Sequence, residues 1–195
     1  MRGICGLLVA MCLCGTGTAA RACEGDMVFV HVTFDASIRS ARMKATIMNE
    51  AAAIWREYGV SLEWVEMDCG VAPSIEVLIE RSIRDGGTRE VLGRATILDS
   101  IATGPVRISY EAVEALLDHH AMVTSVTVDR VLGTAIGRVL AHELGHVLLG
   151  SPGYHDAEGL MRAKFQPDDL ARPERSRFRL APFSVERLRT RFCVQ

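Results

Sequence analysis

The sequence has no internal repeat, no low-complexity tract and no excess of basic charge. Its 195 residues contain 22 lysines and arginines against 24 aspartates and glutamates, a net charge of −2. A basic surface is the usual mark of a nucleic-acid-binding protein, so nucleic acid is not an expected partner. With 49% apolar residues the chain can bury a substantial core, and its length fits a single domain.

The apolar stretch near the N-terminus is too short to span a membrane convincingly. Arg2 precedes an apolar run over residues 3–15, and small residues continue to Ala22. This layout predicts a signal peptide over residues 1–22, cut after Ala20 or Ala22, with an uncleaved anchor as the alternative. The mature chain, 23–195, would have no stable membrane span, a charge of about −4 and a secreted or periplasmic/extracellular location.

Cysteines are few once the predicted signal peptide is removed. Cys23, Cys69 and Cys193 remain, an odd number for an oxidising compartment. One disulfide and one free thiol are expected, and Cys69 could pair with Cys193 or with Cys23.

The segment His142-Glu143-Leu144-Gly145-His146 is the most informative part of the chain. Two histidines four positions apart on a helix lie on the same face, where both can bind one metal ion, and the adjacent glutamate is placed to hold a water molecule. The region 131–149 is otherwise almost entirely apolar, which predicts a buried helix. Arg138 lies on the histidine stripe, which must face a cleft or a metal because unpaired buried polar groups are costly. Arg138 could pair with a carboxylate near the cleft or have a structural role. The alternative is a pair of core histidines satisfied by hydrogen bonds.

A zinc hydrolase needs a third protein ligand and leaves a position open for water. Gly150 is predicted to end the helix and turn the chain, and His155 follows shortly after, so His155 is the predicted third ligand. Asp156 and Glu158 are the alternatives. Small residues also recur every four positions along the helix, at Gly133, Gly137, Ala141 and Gly145. They predict a groove for close approach by a sheet or loop.

These residues resemble the signature of the metzincin zinc metallopeptidases, HExxHxxGxxH followed by a methionine-containing turn. In this sequence the pattern is HExxHxxxGxxxxH, with the glycine at Gly150 one place late and the histidine at His155 three places late. Gly159-Leu160-Met161 resembles the turn, in which the methionine lies beneath the metal without binding it. Small exported bacterial proteins of metzincin-like type show similarly expanded spacing.

The order of predicted elements is also similar to that of metzincins. Strands are predicted at Met27–Phe34, Val60–Val65, Ile75–Ile79, Arg94–Leu98 and Val106–Ser109, and helices at Ser37–Tyr58, Tyr110–Ala121 and Val131–Leu149. The predicted fold is α+β: a twisted mixed sheet of about four to five strands, a long N-terminal helix, an active-site helix and a small C-terminal subdomain. The upper part would comprise 23–150 and the lower part 151–195.

The resemblance implies a zinc-dependent endopeptidase with a peptide or protein substrate. His142, His146 and His155 would hold Zn²⁺, and Glu143 would act as the general base. Tyr154 could help stabilise the oxyanion, and a short strand between Arg94 and Ser109 could pair with an extended substrate. The alternative is an exported, non-catalytic zinc-binding protein or a pseudo-peptidase that binds a protein strand. The oligomeric state is not predicted.

Overall fold

The computed structural model describes residues 26–65, 74–85, 89–117 and 125–192. The predicted signal peptide and all three remaining cysteines lie outside these ranges, so the predictions made for them stay predictions. No helix within the described ranges is both long enough and apolar enough to cross a membrane.

The described residues form nine strands, five α-helices and one 3₁₀-helix. The strands are β1 (Asp26–Phe34), β2 (Val60–Val65), β3 (Ile75–Glu80), β4 (Arg84–Asp85), β5 (Arg89–Glu90), β6 (Gly93–Arg94), β7 (Ile97–Leu98), β8 (Ile101–Ala102) and β9 (Val106–Ser109). The helices are α1 (Ala41–Arg56), α2 (Tyr110–Leu117), α3 (Ser125–Leu149), α4 (Pro167–Ala171) and α5 (Pro182–Phe192), with the 3₁₀-helix at Ser176–Phe178.

Five strands make one sheet in the order β2-β1-β3-β9-β6. The first four run parallel, and β6 pairs antiparallel with β9 at the edge. The predicted mixed sheet of four to five strands is therefore present. Strands β2 and β9 have the predicted bounds, whereas the predicted strand Arg94–Leu98 is divided between β6 and β7. Strand β7 turns into β8 through Asp99 and Ser100, which both have positive φ, and so leaves the main sheet.

Helix α1 begins at Ala41 because Ser40 caps it. The Ser40 side chain accepts a hydrogen bond from the Met43 backbone N–H at 3.2 Å, which satisfies a donor that has no partner within the helix. Ile47, Ala51 and Trp55 on one face of α1 are fully buried. The predicted start at Ser37 was early, since residues 37–40 precede the first helical turn.

Helix α3 runs through the core for 25 residues and packs along α1. A Cβ at Gly137 would lie 2.7 Å from the Ile47 carbonyl oxygen, and one at Gly133 would lie 3.0 Å from Thr46 Cβ. The predicted groove of small residues thus exists, but its neighbour over these two positions is a helix rather than a sheet or loop. Close contact of the two helices sets the position of the histidine-bearing end of α3.

Arg138 has the structural role that the sequence left open, and it does not line the cavity beside the histidines. Its side chain is fully buried and pairs with Glu50 of α1 at 3.0 Å. The guanidinium also donates to four backbone carbonyl oxygens of the C-terminal part, those of Asp169, Leu170, Arg172 and Glu174. Because these groups satisfy its donors, Arg138 connects α1, α3 and the chain around α4 instead of serving the site.

Candidate metal centre

The structure brings together the three histidines chosen from the sequence. His142 and His146 lie one turn apart on α3, and His155 lies in the loop that follows. One ligand nitrogen from each of the three falls within 4.8 Å of the other two. No ligand atom of Asp156 or Glu158 belongs to this group. The three rings therefore form a cluster of suitable size to hold a single metal ion.

The hydrogen bonds of the first two rings fix where their protons lie. His142 Nδ1 is 2.8 Å from the Leu160 carbonyl oxygen, and His146 Nδ1 is 3.1 Å from that of Ser151. Because a carbonyl oxygen only accepts, each Nδ1 must carry the proton, and each neutral ring then has a lone pair on Nε2. These two Nε2 atoms lie 3.2 Å apart. Two lone pairs at that distance repel each other unless a cation lies between them, so the arrangement fits a metal ion.

Burial keeps both rings in the neutral form that a metal requires. Burial, with a smaller contribution from the neighbouring His146 and His155, lowers the pKa of His142 to about 4 against the opposing hydrogen bond to Leu160. Burial also lowers the pKa of His146. A metal ion would therefore displace no proton from either ring at neutral pH.

The end of α3 positions the loop that carries His155. Gly150 adopts φ of 59°, and its N–H donates to the Val147 carbonyl while the Ser151 N–H donates to that of His146. This pair of bonds is a Schellman motif, which requires a residue in the left-handed region and so favours glycine. The same turn places the Ser151 carbonyl against His146 Nδ1.

Asp156 stabilises the loop that carries His155 and does not belong to the histidine cluster. Its two carboxylate oxygens accept hydrogen bonds from the Tyr154 hydroxyl at 2.6 Å and from the buried Ser184 hydroxyl of α5 at 2.8 Å. The Tyr154 hydroxyl thus points to Asp156, and Tyr154 does not line the cavity beside the histidines. The idea that Tyr154 stabilises an oxyanion finds no support in this geometry.

Glu143 lies in the same cavity, on the side of the edge strand β6. Burial raises its pKa to about 8, opposed by a hydrogen bond from the backbone N–H of Ala95 and by the charge of Arg94. A cation on the histidine cluster would favour the carboxylate form and lower this pKa. Gly93 makes room for the side chain, because a Cβ there would lie 2.7 Å from Glu143 Cγ and 2.8 Å from Oε1.

Met161 is buried under α3 beside the cluster. A Cβ at Gly145 would lie 2.4 Å from the Met161 sulfur, so the glycine between the histidines allows this close approach. The preceding Leu160 supplies the carbonyl that orients His142. The segment 159–161 therefore packs against α3 between the histidines and orients His142.

The histidines and Glu143 open into a cavity of about 990 Å³. Its lining includes the edge strand and the segment 163–166, where Phe165 makes an edge contact with the His142 ring at 5.2 Å between centroids. Further apolar lining comes from α2 and α3, at Ala112, Ala115, Leu116 and Val139. A cavity of this size lies in the range of ligand-binding sites.

Comparisons with known proteins add a likeness in fold. No family profile matches the sequence, and no curated protein matches it. Among solved structures, the crystal structure of archaemetzincin from Methanopyrus kandleri matches with a TM-score of 0.55 and 14% sequence identity, over 89% of this chain and 98% of that one. The fold is similar to that of an archaemetzincin. At this identity the likeness concerns the fold, and the metzincin resemblance seen in the sequence has a counterpart in three dimensions.

Sequence reasoning missed several groups that shape this candidate site. The carbonyls of Ser151 and Leu160 and the N–H of Ala95 belong to the backbone, so no residue type marks them. Gly93 did carry a signal, since a glycine inside a strand often marks close approach by another group.

Proposed function

We propose that this protein is a zinc-dependent endopeptidase. The observation that carries the proposal is the pair of Nε2 lone pairs that face each other at 3.2 Å, each fixed by a hydrogen bond from Nδ1 to a backbone carbonyl. The third histidine nearby and the archaemetzincin-like fold support it. Zinc suits three neutral imidazoles, and three protein ligands are the usual number in catalytic zinc sites.

His142, His146 and His155 would hold the zinc ion. When bound there, zinc would serve as a Lewis acid that increases the acidity of water and polarises a peptide carbonyl. His142 and His146 are held by carbonyls on either side of the loop, and His155 comes from the loop itself, which Asp156 ties to α5. The ligand set thus depends on contacts between α3 and the chain that follows it.

Glu143 would act as the general base. It would accept a proton from the attacking water and transfer it to the leaving amine. The Ala95 N–H holds the carboxylate, and Gly93 leaves the space that it occupies. A structural zinc site has four protein ligands and no use for a general base, so a buried glutamate beside three histidines favours catalysis.

The substrate would be a peptide or protein bound in an extended form along β6. Among the described residues this strand has a hydrogen-bonded neighbour, β9, on one side only, and it borders the cavity that contains Glu143. An unpaired strand edge can accept a further strand from a substrate. The predicted edge strand therefore corresponds to β6 at Gly93–Arg94, at the start of the proposed range. We place the mature protein outside the cytoplasm, as the signal-peptide prediction implies.

The test measures zinc content and peptide cleavage together. Wild-type protein should contain about one zinc per chain and cleave members of a mixed peptide library. Glu143→Ala should retain zinc and lose cleavage by a factor of about 100 or more, because it removes the base and leaves the ligands. His155→Ala should lose or weaken zinc binding.

The alternative is a zinc-binding protein or pseudo-peptidase without turnover. It would retain zinc, show no cleavage in any variant and be unaffected by Glu143→Ala. Absence of zinc from the wild-type protein after purification with the metal would overturn the proposal itself.

A further inference from the structure

In the lining of the cleft, the positively charged side chains are exposed and the negatively charged one is buried. Among the described lining residues, the cations other than histidine are Arg94 and Lys164, and both are exposed. The one carboxylate is Glu143, which is only 7% exposed. A ligand that enters the cleft would therefore meet positive charge at the surface, because the negative group lies deep in the site.

The two cations belong to different elements of the cavity lining. Arg94 lies on β6, the edge along which a substrate would extend. Lys164 lies in the segment 163–166, next to Phe165, whose ring contacts that of His142. Lys164 has no hydrogen-bond or ion-pair partner among the described residues, so its ammonium is available to a ligand.

This local charge does not follow from the composition of the whole chain. Residues 1–150 contain 13 basic and 18 acidic side chains, whereas residues 151–195 contain nine basic and six acidic ones. The cleft wall that carries Lys164 thus belongs to the basic part of an acidic protein. Charge of one sign along a cleft concentrates ligands of the other sign and speeds their association.

We propose that the cleft selects peptides that carry a carboxylate close to the bond to be cleaved, through Arg94 of β6 and Lys164 of the segment 163–166. This substrate class rests on the proposed peptidase function. The carboxylate could belong to an aspartate or glutamate side chain or to the C-terminus of the peptide. A bound zinc ion would add positive charge of its own, so the test must assign the preference to the two side chains.

The experiment compares two matched peptide sets. Both have leucine or phenylalanine at a fixed central position, and the flanking positions contain glutamate in one set and glutamine, the uncharged near-isostere, in the other. Each set is made with a free C-terminal carboxylate and as the amide. Dissociation constants are measured by fluorescence anisotropy with the zinc-loaded Glu143→Gln protein, in which turnover does not interfere, and kcat/KM is measured with the active protein.

We expect the glutamate set to be preferred by roughly three- to tenfold at low salt, the range of one or two partly exposed ion pairs. The preference should fall toward one in the double variant Arg94→Gln, Lys164→Gln and at high ionic strength. Arg39→Gln, which removes an exposed charge outside the cleft lining, should leave the preference unchanged. A preference only for the free acid over the amide would assign the carboxylate to the peptide terminus.

Equal affinity for the glutamate and glutamine sets and for the free acids and amides, or a preference that persists in the double variant, would overturn this inference. Its failure is separate from that of the proposed function. Cleavage of the glutamine set that depends on Glu143 would uphold the peptidase while refuting acidic selectivity. A charge preference in binding without any turnover would refute the peptidase and leave the acidic-peptide site standing.

Discussion

Gly93 occupies a position in β6 where a side chain would collide with Glu143. Replacing it by alanine puts a methyl group 2.7 Å from Glu143 Cγ, closer than van der Waals contact permits, so the glutamate or the strand must move. A shift of the base by about 1 Å is enough to lower a rate by roughly 100-fold. We expect Gly93→Ala to reduce kcat by about 10- to 100-fold while zinc content, measured by elemental analysis, stays at the wild-type level.

Gly104 provides the matched control for this change. It lies between β8 and β9, and the nearest atom to a Cβ there is Thr96 Cβ at 4.0 Å, an ordinary contact. Gly104→Ala should therefore cleave peptides at the wild-type rate. Equal rates for Gly93→Ala and wild type would show that the position of Glu143 does not depend on the edge strand.

Residues of the site could be predicted where the signal is local in the chain. His142, Glu143 and His146 follow from helical spacing, and His155 follows from the short connection after Gly150. Whether Arg138 serves the cleft or the structure could not be decided, because position on a helix stripe does not say which neighbour a long side chain meets. The contact of Gly93 and Ala95 with Glu143 depends on how β6 lies against α3, which no sequence spacing encodes.

At the scale of elements, Arg138 holds the C-terminal part of the chain against α1 and α3. Five hydrogen bonds join its guanidinium to Glu50 and to four carbonyl oxygens between residues 169 and 174. Removing one partner of a buried ion pair leaves uncompensated groups, at a cost of about 3–5 kcal/mol. We expect Arg138→Leu to lower the free energy of unfolding by that amount in urea and to make residues 163–176 sensitive to limited proteolysis.

Arg130→Leu tests whether the loss of any arginine from α3 has this effect. Arg130 is exposed near the start of the same helix, so its replacement should change stability by less than about 0.5 kcal/mol. Wild-type protease resistance in Arg138→Leu would mean that other contacts hold the C-terminal part in place.

Asp169 makes the stability of the same region depend on pH. Its carboxylate is 2% exposed, and it accepts hydrogen bonds from Arg177 and Arg162 at 2.6 Å each. Burial raises the pKa of Asp169, but the hydrogen bond from Arg177 and the charges of the two arginines outweigh burial, so the pKa falls below its ordinary value. A pKa lowered by folding contributes stability above the unfolded value of about 3.9, and that stability is lost as the pH falls through the folded value.

We therefore expect Asp169→Asn to lower the free energy of unfolding by about 2 kcal/mol at pH 7, the usual loss for hydrogen bonds to a charged group. The difference from wild type should shrink below about pH 4 as the wild-type carboxylate takes up a proton. Urea unfolding at pH 7 and pH 3 measures both values. Asp168→Asn, at an exposed neighbour, should have little effect on stability. A difference in the free energy of unfolding between Asp169→Asn and wild type that stays constant with pH would show that Asp169 does not cause the pH dependence.

Elements were predictable where periodicity was strong. Strands β2 and β9 have the predicted bounds, and β1 and β3 each differ by one residue at one end. The region 93–102 was harder, because β6, β7 and β8 have two residues each and a two-residue strand shows no alternation. Helix α3 begins at Ser125, earlier than the apolar pattern indicated, because its first turns are only partly buried.

At the scale of the whole molecule, the candidate metal site joins α3 to the chain beyond Gly150. Two of its histidines come from α3, whereas His155 and the carbonyls of Ser151 and Leu160 come from the chain that follows. The core is continuous across this junction, since Leu160, Met161, Leu170 and Phe178 belong to the same buried cluster as the sheet and helices. Zinc should therefore stabilise the entire domain rather than a local loop.

Binding to the folded state alone stabilises it by RT ln(1 + [Zn²⁺]/Kd), about 2.7 kcal/mol when free zinc is 100 times Kd. For a domain of this size each kcal/mol raises Tm by roughly 2–4 °C, so zinc should raise Tm by about 5–10 °C over the metal-free protein. Glu143→Ala should keep this increase, because it removes no ligand, whereas His155→Ala should lose most of it. Calorimetry at fixed free zinc measures the shifts. A wild-type Tm that is unaffected by zinc would mean that the histidines do not bind the ion in the folded state. An equal increase of Tm in His155→Ala would mean that only the two histidines on α3 bind zinc, so that the metal does not stabilise the contact between α3 and the chain beyond Gly150.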